Sequence, residues 1–206
     1  MPERYKCILL IGAPGAGKGT QGKILGHIPG FYHLACGDVF RSLDLTSDLG
    51  KKFIEFSSRG ELVPDELTVK MWQQNMRAQT ILSLYKPSQD LLLLDGIPRT
   101  TTQAKELEKY LDVLLVLHLV CPDEDEMVRR MRRRALKENR IDDADEKVIR
   151  RRFEVYHRET APVLNYYPKS IIREVPATGS PAMVLMSVLD IVAPLQDHHF
   201  RNPLNT

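Results

Sequence analysis

The stretch ILLIGAPGAGKGT, Ile8 to Thr20, decides the fold. A short apolar run leads into closely spaced glycines and a lysine, and KGTQGKILGHI (Lys18–Ile28) then reads as a helix. Strand, glycine loop and helix N-terminus in that order make a phosphate cradle. Glycines let backbone N–H groups turn toward phosphate oxygens, and the helix dipole favours the negative charge. Lys18 stands where the side chain meets the β- and γ-phosphates of a nucleoside triphosphate. In the general motif G-x-x-x-x-G-K-[ST] a hydroxyl residue follows the lysine and holds magnesium. Here Gly19 occupies that place, and the hydroxyl comes one residue later, at Thr20. The bland alternative is a tight turn without a ligand, and the lysine and the preceding strand argue against it. Gly22 and Gly26 lower the propensity of the helix; close packing on a sheet would account for them.

Four more apolar runs read as buried strands: YHLAC (Tyr32–Cys36), DLLLLD (Asp90–Asp95), VLLVLHLV (Val113–Val120) and SIIREV (Ser170–Val175). Helix-length polar segments separate them. With KCILLI (Lys6–Ile11) they predict an α/β fold with a five-stranded parallel sheet covered on both faces. Two connections, 37–86 and 127–167, exceed what a simple crossover needs, and such excess marks lids over a site. The first contains SRGELVPDE, where Pro64, Asp65 and Glu66 fit the first turn of a new helix. Residues 195–206, after Pro194, read as an irregular tail.

Composition narrows the function classes. The chain has 206 residues and a net charge of +2, too small to imply nucleic acid. The opening MPERYKCILLIG has no secretory leader pattern, and the longest apolar run falls far short of the ~20 residues that span a bilayer. Cys7, Cys36 and Cys121 are odd in number and widely spaced, which predicts reduced thiols in a cytoplasmic protein without structural zinc. The pair His198–His199 after Asp197 reads as part of a solvated tail rather than a metal site.

LLLLDGIPRT places Asp95 at the end of a buried strand, the position suited to Mg²⁺ or its bound water; a helix cap is the alternative. Gly96 would bring backbone close to a ligand, and Arg99 would aim a bidentate fork at phosphate. The run RRMRRRALKENRIDDADEKVIRRRF, Arg129 to Phe153, admits three readings. Most of it is a solvated face. A nucleic-acid surface is disfavoured by interleaved acids and by the lack of stacking aromatics. A polyphosphate clamp fits, because a phosphoryl group in flight must be surrounded by positive donors.

Five segments in order resemble the adenylate kinase family within the nucleoside monophosphate kinases, over about Cys7 to Val192: GAPGAGKGTQ, HLACGDVFR, GELVPDE, DGIPRTTTQA, and the series RMRRRA, RIDD and RRRFEVYHRETAPVLNYY. Ala35–Cys36 stands where the family usually has serine–threonine, and Ile97 replaces its usual phenylalanine. The resemblance implies a P-loop three-layer fold in one domain, with a helical monophosphate-binding insertion at 35–64 and a short lid at 133–148, which lacks the cysteine cluster of zinc-binding long lids. It implies ATP contacts at Gly15, Ala16, Gly17, Lys18, Gly19, Thr20, Arg130, Arg134, Gly179 and Ser180. It implies an AMP site at Cys36, Arg41, Glu61, Leu62, Val63, Gly96, Ile97, Pro98, Arg99 and Gln103, with Gln103 reading the adenine edge. Arg140 and Arg152, beside Asp142 and Asp143, would clamp the transferring group and reach AMP; the catalytic set is Lys18, Arg99, Arg134, Arg140 and Arg152. Two spacings run one residue longer than the family pattern, which leaves Arg151 beside Arg152, and Arg129 and Arg133 beside Arg130 and Arg134.

The implied reaction is ATP + AMP ⇌ 2 ADP in a cytoplasmic monomer, with ATP and AMP as its small-molecule partners and no nucleic acid or membrane. Mg²⁺ arrives with ATP, and Asp95 orients one of its waters. The nearest rival is a UMP/CMP kinase: Gln103 favours adenine, whereas Cys36 matches neither the threonine of adenylate kinases nor the alanine of pyrimidine kinases. A GTP switch needs N-K-x-D after a strand, and NRID (Asn139–Asp142) lies in the lid instead. A non-catalytic nucleotide-binding module would not need so complete a set of phosphate contacts.

Overall fold

The computed structural model describes residues 4–138, 140 and 143–199. Five parallel strands form one sheet in the order β2-β3-β1-β4-β5: β1 Tyr5–Ile11, β2 Phe31–Ala35, β3 Leu91–Asp95, β4 Leu111–Val120 and β5 Ile172–Pro176. The predicted α/β class and all five predicted strands are present, within one or two residues at most ends. β1 lies at the centre because nearly every residue in it is apolar and both its faces are covered. Alternation then divides the core. Ile8 and Leu10 join a cluster with Leu25, Leu117, Val188 and Val192. Cys7, Leu9 and Ile11 join another on the opposite face, with Trp72, Met76, Leu94 and Leu107.

Helices cover the two faces: α1 Lys18–Leu25, α2 Cys36–Arg41, α3 Asp48–Ser57, α4 Asp65–Ile81, α5 Thr101–Leu107, α6 Glu124–Glu138, α7 Glu146–Val155 and α8 Pro181–His199. Local chemistry sets several of their starts. Ser47 accepts from Gly50 N–H, Thr100 from Gln103 N–H and Asp145 from Lys147 N–H, each satisfying a first-turn donor. Asp65 and Glu66 occupy the first turn of α4, as the Pro64 signal predicts.

The two glycines of α1 have a packing reason. A Cβ on Gly22 would lie 2.3 Å from His33 Nε2, and one on Gly26 would lie 2.7 Å from His33 Cβ. Their absence lets α1 seat directly on the β2 side chain.

The tail expectation needs correction. α8 continues through Pro194 to His199, so residues 195–199 are helical rather than irregular. Proline costs the helix one N–H and crowds the carbonyl four residues back. Leu195 meanwhile packs against the core, and Gln196 Nε2 donates to Pro29 O at 2.7 Å. Residues 200–206 lie outside the described part.

Candidate active site

β1 and β3 are neighbours, with Leu10 opposite Asp95, so the loop after β1 and the acid ending β3 share one edge of the sheet. The connection leaving β1 runs to one side of the sheet while those leaving its neighbours β3 and β4 run to the other, and ligands bind beyond the carboxyl ends of strands at such a point. A cavity of about 680 Å³ opens there.

Gly12 and residues 14–20 form its floor. Gly15 has φ +83° and a Cβ there would come within 2.8 Å of Met127 O, so both conformation and space exclude a side chain. Gly17, at φ +95°, faces open space: its backbone needs glycine, and nothing stands between it and a ligand. Lys18 Nζ donates to Gly12 O at 2.7 Å and to Ala13 O at 3.0 Å, which draws the ammonium back over the loop. Lys18 keeps part of its surface, yet burial of its ammonium end lowers its pKa to about 8; Asp95 opposes the shift, while Arg99, Arg134 and Arg152 add to it.

Cys36, Arg41, Glu61, Leu62, Val63, Gly96, Pro98, Arg99 and Gln103 line this cavity, and Arg130, Arg134, Arg140, Arg152 and Gly179 line it too. Asp95 and Thr20 complete the lining. Two predicted contacts fall elsewhere. Ile97 is buried in the hydrophobic cluster beneath the β3–α5 loop. Ser180 accepts from Met183 N–H at 3.3 Å, capping α8. Of the alternatives left by spacing, Arg152 lines the cavity while Arg151 pairs outside with Glu154 at 2.7 Å. Arg130 lines it while Arg129 pairs with Glu126 at 2.9 Å, and both Arg133 and Arg134 reach it. Asp142 lies outside the described residues.

The lining is strongly positive. Ten lysines and arginines face five carboxylates among the described residues. Acids hold the key guanidinium groups in place. Asp38 Oδ1 accepts from Arg41 Nη1 at 3.0 Å and from Arg140 Nη2 at 3.1 Å, joining α2 to the segment that follows α6. Fully buried Asp143 accepts from Arg134 Nε at 2.8 Å and from Arg152 Nη1. Arg130 donates to Glu126 at 3.1 Å and to Ala177 O at 3.0 Å, and Arg99 Nε donates to Gly96 O at 2.8 Å. Sequence reasoning missed Asp38 and Asp65. Asp38 could have been found as the i−3 neighbour of Arg41, but the partners of Asp65 lie 35 and 38 residues away.

Burial pushes the Cys36 thiol up to about 12, so it stays protonated at neutral pH. Burial lowers the pKa of His33, with Asp95 opposing; its Nε2 stands 4.0 Å from Asp95 Oδ2. Asp95 is a single carboxylate at the phosphate edge of the cavity. This donor set suits a magnesium ion held mainly by phosphate oxygens and waters. Among the described residues, no group of three or more His, Cys, Asp or Glu side chains is arranged to hold a metal by itself.

A glycine loop entering a helix, an acid on the adjacent strand and a cage of arginines over one cleft define a phosphate-loop protein built to handle polyphosphates. The family model described as adenylate kinase matches residues 10–172. The chain is 38% identical to "Adenylate kinase" of Thermobifida fusca over 179 residues, 84% of this chain and 90% of the relative. It is 36% identical to that of Thermus thermophilus over 182 residues, 85% and 91% of the two chains. It is 34% identical to "Adenylate kinase isoenzyme 1" of Gallus gallus over 188 residues, 90% and 93%. The chain belongs to the adenylate kinase family, and it is an enzyme of that family.

Proposed function

We propose that the chain transfers the γ-phosphoryl group of ATP reversibly to AMP, giving two ADP. The observation that carries this reading is one cleft lined at once by the phosphate loop, by Cys36, Glu61, Leu62, Val63 and Gln103, and by Arg41, Arg99, Arg134, Arg140 and Arg152. An enzyme that only hydrolysed ATP would have no use for a second nucleotide pocket there.

The nucleophile is an AMP phosphate oxygen, already ionised at neutral pH, so no general base is required. The protein contributes alignment and neutralisation of charge in a water-poor cleft. Arg41 and Arg99 hold the AMP phosphate. Lys18 and the loop amides hold the ATP phosphates. Arg134, Arg140 and Arg152 compensate the equatorial oxygens during transfer, and Arg130 flanks the ATP base. Asp95 would hold Mg²⁺ through water, and the ion would add charge neutralisation at the β- and γ-phosphates. Thr20 contacts phosphate. We place the enzyme in the cytoplasm as a monomer; among the described residues no helix is long and apolar enough to cross a membrane.

Cys36 lines the second pocket with a thiol, a weak hydrogen-bond partner, and for that reason acceptor choice is the point to test. Initial rates with MgATP and AMP, CMP, UMP or GMP should show AMP as the preferred acceptor. A clear preference for CMP would overturn the assignment.

A further inference from the structure

Gln103 lines the cavity, yet its amide is already engaged at both ends. Its Oε1 accepts from Arg99 N–H at 2.7 Å, and its Nε2 donates to Asp65 Oδ1 at 2.7 Å. Asp65 lies outside the cavity lining, at the start of α4. Its other oxygen accepts from Thr100 Oγ1 at 2.9 Å, and that hydroxyl in turn accepts from Gln103 N–H at 3.1 Å. Thr160 Oγ1 donates to Arg99 O at 2.9 Å and fixes the far side of the same loop.

We propose that Asp65 is a positioning residue that sets base specificity: by locking the Gln103 amide in one orientation it selects a 6-amino over a 6-oxo purine monophosphate. The inference rests on the AMP reading above. A carboxylate only accepts and a backbone N–H only donates, so the two partners fix which end of the amide is oxygen and which is nitrogen. One amide N–H and one carbonyl lone pair remain for the cavity. Adenine offers a donor at its 6-amino group and an acceptor at N1, and the remaining pair matches them. Hypoxanthine reverses both, with an acceptor at O6 and a donor at N1. Serving it requires an amide flip, which would set Oε1 against the Asp65 carboxylate and the NH₂ against Arg99 N–H. Two hydrogen bonds would become two repulsions. Asp65 therefore acts on the base through Gln103 without touching it.

The test compares kcat/KM for AMP and for IMP, which differ at this edge of the base, in wild type, Asp65→Asn, Gln103→Ala and the double variant. Asparagine at position 65 can offer Gln103 either an oxygen or an N–H, so the flipped amide keeps only one of the two repulsions, the one at Arg99 N–H. The AMP-to-IMP ratio should fall about tenfold or more in Asp65→Asn. It should not fall further when Asp65→Asn is added to Gln103→Ala. Asp65→Ser, whose hydroxyl both donates and accepts, is the second variant should Asp65→Asn fold poorly, with the same loss expected. Equal loss on AMP and IMP with the ratio unchanged would overturn the inference alone, since a purely structural Asp65 would lower both together. A wild type indifferent between AMP and IMP would overturn the adenine reading and the inference with it.

Discussion

At Lys18, burial works against the charge that the site needs. The ammonium sits among positive guanidinium groups, and its pKa drops from lysine's ordinary 10.5 to about 8. Below about pH 8 it is charged both folded and unfolded, and the cost of burying it is fully present. As pH rises from about 8 toward 10.5 the folded chain releases a proton that the unfolded chain keeps, so this cost is relieved and its contribution to stability rises. Phosphate binding responds in the opposite sense, because the neutral amine is a poor partner for the triphosphate. Calorimetric titration should show ATP affinity falling as pH passes about 8, with proton uptake on binding at pH 9 and little at pH 6.5; uptake is read by repeating the titration in buffers of different ionisation enthalpy. Equal uptake at both pH values would contradict this. At this scale the glycine loop, Arg99 and the arginines of α6 and α7 were legible, because the chemistry is written in adjacent letters. Asp38, joined to Arg140 across 102 residues, and Asp65 were not. A lone acid in sequence does not declare which distant cation or amide it will meet.

Among the elements, α1 shows how a weak helix former can be the right choice. Alanine at position 22 would gain about 1 kcal/mol of helix propensity, yet its Cβ would meet the His33 ring at 2.3 Å. The ring is pinned between the helix and the sheet, so Gly22→Ala should be destabilising by about 1–3 kcal/mol net. Urea unfolding would show a lower midpoint. In a His33→Ala background the same change should cost less, and independent effects would argue against the contact. The glycine pair was visible in the sequence, but its partner was not: His33 comes from the neighbouring strand, and no periodicity reveals which strand lies under a helix. α8 failed in the other direction. Proline in a helical pattern signals an end, but the contacts of Leu195 and Gln196 hold the last turn together, and tertiary support of that kind has no local signature.

The whole molecule is organised around acids that hold arginines. Asp143, with no exposed surface, joins Arg134 of α6 to Arg152 of α7, and thereby ties the two helices. Asp143→Ala would leave both guanidinium groups without that anchor. Because the arginines keep some solvent, the loss should be about 2–3 kcal/mol, below the ~3–5 typical of a fully buried pair. Guanidinium unfolding measures that loss, and kcat should fall in parallel, since the same two arginines are proposed to flank the transferring group. A variant with normal stability and turnover would remove Asp143 from this role. The sheet order carries a further consequence, for the chain's synthesis. β1 is the first of the strands to leave the ribosome, but its two neighbours are β3, from Leu91, and β4, from Leu111. Until those segments emerge, this largely apolar strand has no partner on either side. The nascent chain must shelter it through much of translation, and the phosphate loop that follows it becomes a binding site only when the sheet closes around it.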